Sequence, residues 1–473
     1  MTHPYPLSTI PIYAISEYFD INDLITLRRT HRYFSEKLCP STSPNISLHS
    51  NTSLYENKDF LNIIDQFPKA KIKVPRYRPE DKLLMNLKIE TNITSLDTVG
   101  DYIEILTDLT NLTSLQIHRL DEVKSEMLSN LTKLIELDLS GNTRINGETI
   151  RKLTNLRKLN LEENRIIADE DIECLPLRSL SLSKNSMITW RILKKLNLTE
   201  LNLNKYAYRL EGDELSQNTS LTELTGEMMD IYEIGLENIA KMTNLRKLTI
   251  KNPNLIYKDY IRLTNLTHLE LDTLRTPFNM SDLSRLETLI IKGIDVVNTN
   301  FRLVRLVSLS HLEINGYRFG TGEIDFRHLR NLTHLDVGAN CCVNFAEMLV
   351  LKKLKRLILR NANYDKEVDI FGLTSLTSLE ILDGRLRSIV MGKNDSLERL
   401  TIGTYNSDID DKTLKGFVNL KYLSLRPLHN VHGLCFKYLE NLYEVTLWKR
   451  HMLYKESIAL LEVRGIKIKY LNI

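Results

Sequence analysis

Residues 134–142 read Leu-Ile-Glu-Leu-Asp-Leu-Ser-Gly-Asn, and the pattern returns at 156–164 as Leu-Arg-Lys-Leu-Asn-Leu-Glu-Glu-Asn. The frame Leu-x-x-Leu-x-Leu recurs about every 22 residues, in about 17 copies that begin at Leu84. Self-similarity at a period of roughly 20–50 residues is the signature of a solenoid, in which each repeat buries its apolar face against its neighbours. We therefore expect the 473-residue chain to form a stacked array and not one compact core.

Each repeat contains a short alternation of apolar and polar residues. In the first quoted copy, Leu137 and Leu139 fall on one face and Glu136 on the other, the period-two pattern of a strand with one buried side. Apolar residues at intervals of three precede the strand, as at 128, 131 and 134, and favour a turn of α- or 3₁₀-helix. The prediction is an α/β solenoid with a curved parallel sheet inside and helical segments outside.

In several copies an asparagine stands at the eighth position after the first leucine of the frame. These residues are Asn92, Asn142, Asn164, Asn185 and Asn340. Frame and asparagine together resemble the leucine-rich repeat family. The resemblance implies that each such Asn bonds backbone groups of its turn and that the residues form a ladder, because buried turn amides need partners. Other copies carry Tyr, Met, Pro, Leu or Ile at this position, so the ladder is expected to break there.

Composition argues against several classes of function. Lys and Arg number 63 against 60 Asp and Glu, and the net charge of +3 is too balanced to indicate a nucleic-acid or anionic-membrane partner. No apolar run reaches the length of a membrane span, and the N-terminal residues lack the basic start of a signal peptide. Five cysteines without framework spacing favour a reducing compartment. We expect a cytoplasmic or nuclear protein, or one in a host cytoplasm if the source is a virus or intracellular bacterium.

The sequence contains no motif for catalysis or for a cofactor. A phosphate-binding glycine loop, His-Glu-x-x-His and Gly-x-Ser-x-Gly are all missing from it, so neither enzyme activity nor a cofactor is expected. His311 and His334 occupy equivalent outward positions on adjacent strands, but no third ligand accompanies them and no metal site is expected. Sequons such as Asn111-Leu-Thr recur at one place in the repeat and follow from its consensus.

Residues 1–40 do not follow the repeat. Apolar residues at 12, 15 and 19 have helical spacing, and two further short helices are indicated around residues 24–27 and 34–38. Three short amphipathic helices bury too little apolar surface to be stable alone, so such a module usually needs a partner.

This N-terminal stretch resembles an F-box. Without gaps, Ile15 falls on the central Ile of the family pattern, Tyr18-Phe19 on its Tyr-Leu and Asp23-Leu24 on its Asp-Leu. Ser8, Ile10, Ser16 and His31 depart from the pattern, and Pro11 arrives late. The resemblance implies docking on a Skp-family adaptor protein through the apolar face of the module. The residues concerned are Leu7, Pro11, Ile12, Ile15, Phe19, Leu24 and Leu27.

Three segments are therefore predicted. Residues 1–40 form the F-box-like helical module, and residues 41–82 form a linker and N-terminal cap, with Ser/Asn/Thr-rich loop and an irregular strand near 69–74. Residues 83–473 form the solenoid of about 17 repeats plus a truncated C-terminal repeat.

Outward strand positions differ between the early and late repeats. Early repeats place Asp and Glu there, whereas later repeats place Arg and aromatic or apolar residues, the types enriched in binding hot spots. The alternative is an ordinary mixed surface. We place the docking patch for a protein target on the concave face of the last repeats. Its residues are Arg356, Ile358, Arg360, Arg399, Tyr422, Arg426 and Trp448.

Three functions are compatible with this organisation. The leading hypothesis is the substrate-recognition subunit of a Skp–cullin–F-box type ubiquitin ligase, which would act by proximity and without chemistry of its own. The alternative is a non-enzymatic leucine-rich repeat scaffold or host-interacting effector that binds a protein without a ubiquitin ligase role. A third reading is an enzyme regulator that inhibits its target by wrapping around it.

Overall fold

The structure is a computed structural model. It describes residues 45–47, 71–77, 93–98, 104–117, 123–205, 217–227, 239, 241–251, 263–274, 283–296, 303, 305–315, 318–319, 325–338, 345–364, 368–386, 389–390, 396–403, 406–426, 428–448 and 453–471. The proposed F-box helices lie outside these residues, and so do their seven adaptor-binding positions, Leu7, Pro11, Ile12, Ile15, Phe19, Leu24 and Leu27. The described chain divides into two compact units, Met1–Leu221 and Thr222–Ile473.

The first unit contains eight described strands, each parallel to the next along the chain. They are β1 (Asn45–Ser47), β2 (Lys71–Tyr77), β3 (Ile93–Thr98), β4 (Ser114–Ile117), β5 (Glu136–Asp138), β6 (Lys158–Asn160), β7 (Ser179–Ser181) and β8 (Glu200–Leu203). Its helices are a 3₁₀ turn (Glu104–Asp108), α1 (Ser125–Leu128), α2 (Gly147–Lys152), α3 (Asp169–Ile172) and α4 (Trp190–Leu193). Strands β1 and β2 fall within the predicted linker, so the parallel sheet begins before residue 83 and part of the expected loop is strand.

The main sheet of the second unit is also parallel throughout its described strands. These are β9 (Glu223–Glu227), β10 (Lys247–Lys251), β11 (His268–Leu274), β12 (Thr288–Val296), β13 (His311–Asn315), β15 (His334–Val337), β16 (Arg356–Tyr364), β18 (Ser378–Leu386), β20 (Arg399–Gly403), β22 (Tyr422–Leu425), β23 (Glu444–Trp448) and β24 (Lys467–Leu471).

Shorter elements complete the second unit. Two-residue strands are β14 (Arg318–Phe319), β17 (Val368–Asp369), β19 (Ile389–Val390) and β21 (Asn406–Ser407). Helices are α5 (Phe345–Met348), α6 (Asp411–Leu414), a 3₁₀ turn (Leu434–Tyr438) and α7 (Lys455–Val463). None of the described helices is long and apolar enough to span a membrane.

The leucines of the repeat frame form the core, as predicted. Leu134, Leu137 and Leu139 are almost wholly buried, and so is Leu128, which ends α1 on the helical side of the repeat. A column of such residues runs through each unit, because the described repeats present their apolar positions in register with those of the next. In the last repeat Leu461 and Ile466 are buried, whereas Leu471 is 42% exposed because it lies on the outward side of β24, in register with Trp448.

The asparagine ladder is present in the first unit. Asn142, Asn164 and Asn185 are fully buried, and the side-chain oxygen of each accepts the backbone N–H groups two and three residues ahead. The Asn164 amide donates to the carbonyl of Asn142, and the Asn185 amide donates to that of Asn164, each at 2.9 Å. Adjacent turns are thereby joined, as the family resemblance implied. Asn92 and Asn340 lie outside the described residues.

Candidate functional site

Parallel register aligns the outward side chains of the last repeats into three rows across the strands. The first row contains Arg356, Ser378, Arg399, Tyr422, Glu444 and Lys467. The middle row contains Ile358, Glu380, Thr401, Ser424, Thr446 and Lys469. The third row contains Arg360, Leu382, Gly403, Arg426, Trp448 and Leu471. All seven residues that the sequence singled out for partner binding lie in these rows.

Arg356 and Arg360 are bound to carboxylates of neighbouring strands. The Arg356 guanidinium donates to Glu380 at 2.6 Å, and that of Arg360 forms a fork with both oxygens of Asp336 at 2.8–3.1 Å. Hydrogen bonding to Asp336 raises the pKa of Arg360 above its ordinary value. The positive charge of both arginines is therefore largely offset within the sheet.

Ile358 is not an exposed anchor. Its side chain is only 7% exposed, although it lies on the same outward face of β16 as Arg356 and Arg360. The middle row places Asp336 and Glu380 on either side of it, and the two ion pairs with the arginines surround it. Sequence alternation assigns the face of a residue but not the coverage that long neighbouring side chains provide. The two ion pairs cover most of Ile358, and its contact with a partner stays a prediction.

Arg399 and Arg426 stack on aromatic rings of the next strand. The Arg399 guanidinium carbon lies 3.7 Å from the ring centre of Tyr422, and that of Arg426 lies 4.6 Å from the ring of Trp448. Tyr422 in turn meets the edge of Tyr443, with ring centres 5.8 Å apart. A cation–π contact of this kind contributes about 0.5–1 kcal/mol at an exposed site.

Between the two stacks lie three short hydroxyl side chains of the middle row, Thr401, Ser424 and Thr446. We call this arrangement the furrow: the hydroxyls are its floor, Arg399 and Tyr422 are one wall, and Arg426 and Trp448 are the other. Walls four residues apart along a strand are separated by about 13 Å. The distance suits one extended polypeptide chain.

The first row continues onto the preceding strands of the second unit, where it contains His268, His311 and His334. The rings of His311 and His334 stack with centres 5.6 Å apart. Burial lowers the pKa of His334 from its ordinary value, with smaller contributions from His311 and Arg356. Burial and then Lys247 likewise lower the pKa of His268. Within the described part of the chain, no group of three or more His, Cys, Asp or Glu side chains is placed to hold a metal ion.

The sheet face of the first unit is polar and internally bonded. The Asn160 amide donates to Asp138 at 2.9 Å, and the Asn202 amide donates to the Ser181 hydroxyl at 3.0 Å. These lateral bonds use the side chains that a partner would otherwise contact.

Two features of the site are not evident from the sequence. Tyr443 lies one residue before β23, outside the alternating positions, and is 60% exposed beside Tyr422. The hydroxyls of the furrow floor carry no sequence signal, because short polar residues on a strand are ordinary. Their common register with the two stacks is what distinguishes them.

Comparisons with known proteins agree with this architecture. The family model described as leucine rich repeat matches residues 107–166. The solved TLR13–ssRNA13 complex is similar in structure, with a TM-score of 0.52 and 17% identity over 86% of this chain and 71% of that chain. The structure of an internalin (InlF) from Listeria monocytogenes has a TM-score of 0.39 and 22% identity, and the match covers 63% of this chain and 82% of that chain. The mouse RP105/MD-1 complex has a TM-score of 0.46 and 14% identity, and the match covers 90% of this chain and 79% of that chain.

The family match over residues 107–166 and the similarity to the TLR13 structure identify the fold. Each unit of the described chain has the leucine-rich repeat solenoid fold, with a parallel sheet and short helical segments. At identities below 25% the solved structures show the fold alone. The sequence has no significant match among curated proteins.

Proposed function

We propose that this chain is a binding scaffold that holds a protein partner on the exposed sheet face of its second unit. The observation that carries the proposal is the furrow, where two Arg–aromatic stacks flank a floor of hydroxyls on adjacent strands. Arg, Tyr and Trp are the residue types that dominate binding energy at protein interfaces. A solenoid offers such residues on one rigid surface, which limits the entropy lost on binding.

The similar proteins support a binding role without naming a partner. RP105 is solved in complex with MD-1, and TLR13 with a single-stranded RNA. For the present chain a protein partner is favoured over RNA, because acidic residues Glu313, Asp336 and Glu380 share the sheet face with the arginines.

The test is partner capture by the full chain in cells, followed by cross-linking and mass spectrometry. Tyr422→Ala combined with Trp448→Ala should eliminate the partner that cross-links near β20–β24, because removing a central aromatic anchor typically costs about 2 kcal/mol or more. Tyr438→Ala is the matched control, since Tyr438 is 48% exposed on a 3₁₀ turn away from the rows. An identical partner set for the double variant would place the docking surface elsewhere.

A second candidate is the substrate-recognition subunit of a Skp–cullin–F-box type ubiquitin ligase in the cytoplasm or nucleus. It is favoured by the F-box resemblance of residues 1–40, which precede the leucine-rich repeats in the chain. In this version the scaffold presents its partner for ubiquitin transfer by other subunits.

A pull-down with a purified Skp-family adaptor distinguishes this candidate from a plain scaffold. Ile15→Asp with Phe19→Asp should abolish adaptor binding, because charge is introduced on the apolar face that would dock. The furrow double variant, which combines Tyr422→Ala with Trp448→Ala, should bind the adaptor as the wild type does. Failure of the wild-type chain to bind any Skp-family adaptor would remove the ligase candidate and leave the scaffold proposal intact.

A further inference from the structure

The arginines of the three rows are not equivalent in their ability to bind a ligand. Arg356 and Arg360 are engaged by Glu380 and Asp336. The Arg399 guanidinium has no carboxylate or hydrogen-bond partner among the described residues, and its contact is the ring of Tyr422. Arg399 therefore offers a positive charge that the sheet itself does not neutralise.

Stacking also orients that charge. At 3.7 Å the guanidinium of Arg399 lies over the ring of Tyr422, and Tyr443 braces that ring from its edge. The five N–H groups of a guanidinium form a planar fork, and those of Arg399 make no hydrogen bond to any described residue. A planar fork held in this way matches the two oxygens of a carboxylate.

The furrow floor supplies unused hydrogen-bonding groups. Across the described residues, the hydroxyls of Thr401, Ser424 and Thr446 have no hydrogen-bond partner, in contrast to the bonded Ser181 and Asn202 of the first unit. Neighbouring strands place these hydroxyls about 4.8 Å apart. A row of hydroxyls can donate to and accept from the backbone amides of an extended chain.

Charge on this part of the face is positive and confined. The outward positions of β20, β22, β23 and β24 carry four cations and one carboxylate, a formal net charge of +3. The cations are Arg399, Arg426, Lys467 and Lys469, and the carboxylate is Glu444, which the two lysines bind at 3.9 and 2.8 Å. The preceding strands carry the acidic Asp336 and Glu380 in the middle row.

We propose that the furrow binds an extended acidic segment of a partner protein, with a carboxylate held in the fork of Arg399 and the segment's backbone on the hydroxyl floor. This inference rests on the proposed scaffold function and adds the chemistry of the partner. A peptide is favoured over a nucleic acid because the positive region is only four strands wide, about 14 Å between its outer strands. A phosphodiester chain longer than that would meet the carboxylates of Asp336 and Glu380.

The test uses the full chain and fluorescein-labelled peptides of roughly nine residues, long enough at about 3.3 Å per residue to cross the roughly 14 Å between the outer strands along the floor. One peptide has Asp at alternate positions, and the other has Asn at the same positions. Binding is followed by fluorescence anisotropy at low and moderate salt. The acidic peptide should bind, and the amide peptide should bind about tenfold more weakly or not at all, because charge-assisted hydrogen bonds are roughly twice as strong as neutral ones.

Variants separate charge from geometry. Arg399→Gln should weaken the acidic peptide about tenfold, and Arg399→Lys should fall between, because lysine keeps the charge but lacks the fork. Tyr422→Leu should weaken binding while leaving the charge of Arg399 in place. Arg330→Gln is the matched control, since Arg330 is an exposed cation in the segment before β15 and off the rows. Unchanged thermal unfolding of each variant shows that the fold is retained.

Three outcomes would overturn the inference. Binding of both peptides alike, or of neither, would exclude carboxylate recognition. An Arg399→Gln variant with wild-type affinity would exclude the fork, and tighter binding of a short single-stranded RNA would assign the furrow to a nucleic acid. If the furrow double variant loses its cellular partner while the acidic peptide fails to bind, the proposed scaffold function stands and only the acidic segment is wrong.

Discussion

At the residue scale, each buried asparagine of the ladder in the first unit forms several hydrogen bonds to backbone groups. Asn164 accepts two backbone N–H groups and donates to the carbonyl of Asn142. A buried polar group that loses its partner costs about 1–3 kcal/mol. The ladder is therefore a set of residues that cannot be exchanged for apolar ones of similar size.

Asn164→Ala is predicted to lower the free energy of unfolding by at least about 2 kcal/mol, because it leaves several buried backbone groups unpaired. Asn155→Ala is the control, because exposed Asn155 makes one bond to the carbonyl of Thr132 and should change stability by no more than about 0.5 kcal/mol. Urea unfolding followed by circular dichroism measures both. Equal effects of the two substitutions would contradict the importance of the ladder.

The histidines of the first row predict a pH dependence of stability. The pKa values of His268 and His334 are lowered in the folded state, so the unfolded chain binds more protons near the ordinary histidine pKa of about 6.5. The stabilisation is thus present above that pH and is lost as the pH falls below it. Asp325, whose pKa the hydrogen bond from Arg327 lowers to about 2, titrates far outside this window.

The urea midpoint is predicted to fall between about pH 7.5 and 5.5, and His334→Gln should make the fall smaller. His328→Gln is the control, since His328 is exposed and lies off the row. A pH profile that is the same for wild type and His334→Gln would show that the stacked pair does not contribute.

At the element scale, the 3₁₀ turn Leu434–Tyr438 depends on groups from both neighbouring repeats. The Asp411 carboxylate, in α6, accepts the backbone N–H groups of His432, Gly433 and Cys435. Gly433 has a φ of +89°, and a Cβ there would lie 2.6 Å from the side chain of Ser457 in α7. The turn is thus fixed by one capping carboxylate and by one position without a side chain.

Gly433→Ala is predicted to destabilise the second unit by about 2 kcal/mol or more, because it combines backbone strain with a clash in a packed interface. Gly465→Ala separates the two contributions. Its φ is +68°, but nothing lies within 4 Å of an added Cβ, so only the strain of about 1–2 kcal/mol remains. Thermal unfolding measures both variants. A loss at Gly465 as large as that at Gly433 would mean that the contact with Ser457 is unimportant.

At the scale of the whole molecule, neighbouring repeats are joined by two kinds of contact. Buried leucines form the core of each unit, and exposed ion pairs link adjacent repeats, as between Lys247 and Glu223, Lys292 and Glu270, and Lys421 and Glu398. Exposed pairs contribute about 0–1 kcal/mol each and are screened by salt, whereas burial of one leucine contributes about 1.5–3 kcal/mol. The leucine core should therefore dominate stability.

Raising the salt concentration from about 0.05 to 1 M NaCl is predicted to leave the unfolding temperature nearly unchanged, because the Debye length falls to about 3 Å and only weak surface pairs are lost. Leu137→Ala, by contrast, should cost about 2–5 kcal/mol by opening a cavity. Differential scanning calorimetry compares the two effects. A loss of stability in high salt that exceeds the effect of Leu137→Ala would reverse the order of importance.

The fold and the site differ in how far sequence could predict them. The period of the leucines gave the strands, the helical side and the buried face, and the spaced asparagines gave the ladder that Asn142, Asn164 and Asn185 form. The pattern also placed the arginines and aromatic residues of the last repeats on the outward side. It could not show that Ile358 is covered or that Arg356 is neutralised by Glu380.

The sequence alone therefore determined which residues face the core and which face solvent. This division follows the period of the sequence, because the backbone geometry is the same in each copy. Only the tertiary structure decided which side chains of neighbouring strands contact each other, since those contacts depend on the register between strands. Tyr422 lies 23 residues after Arg399 in the chain, yet the parallel pairing of β20 with β22 brings the two side chains into contact. The same register leaves the guanidinium of Arg399 available while it commits those of Arg356 and Arg360 to carboxylates on neighbouring strands.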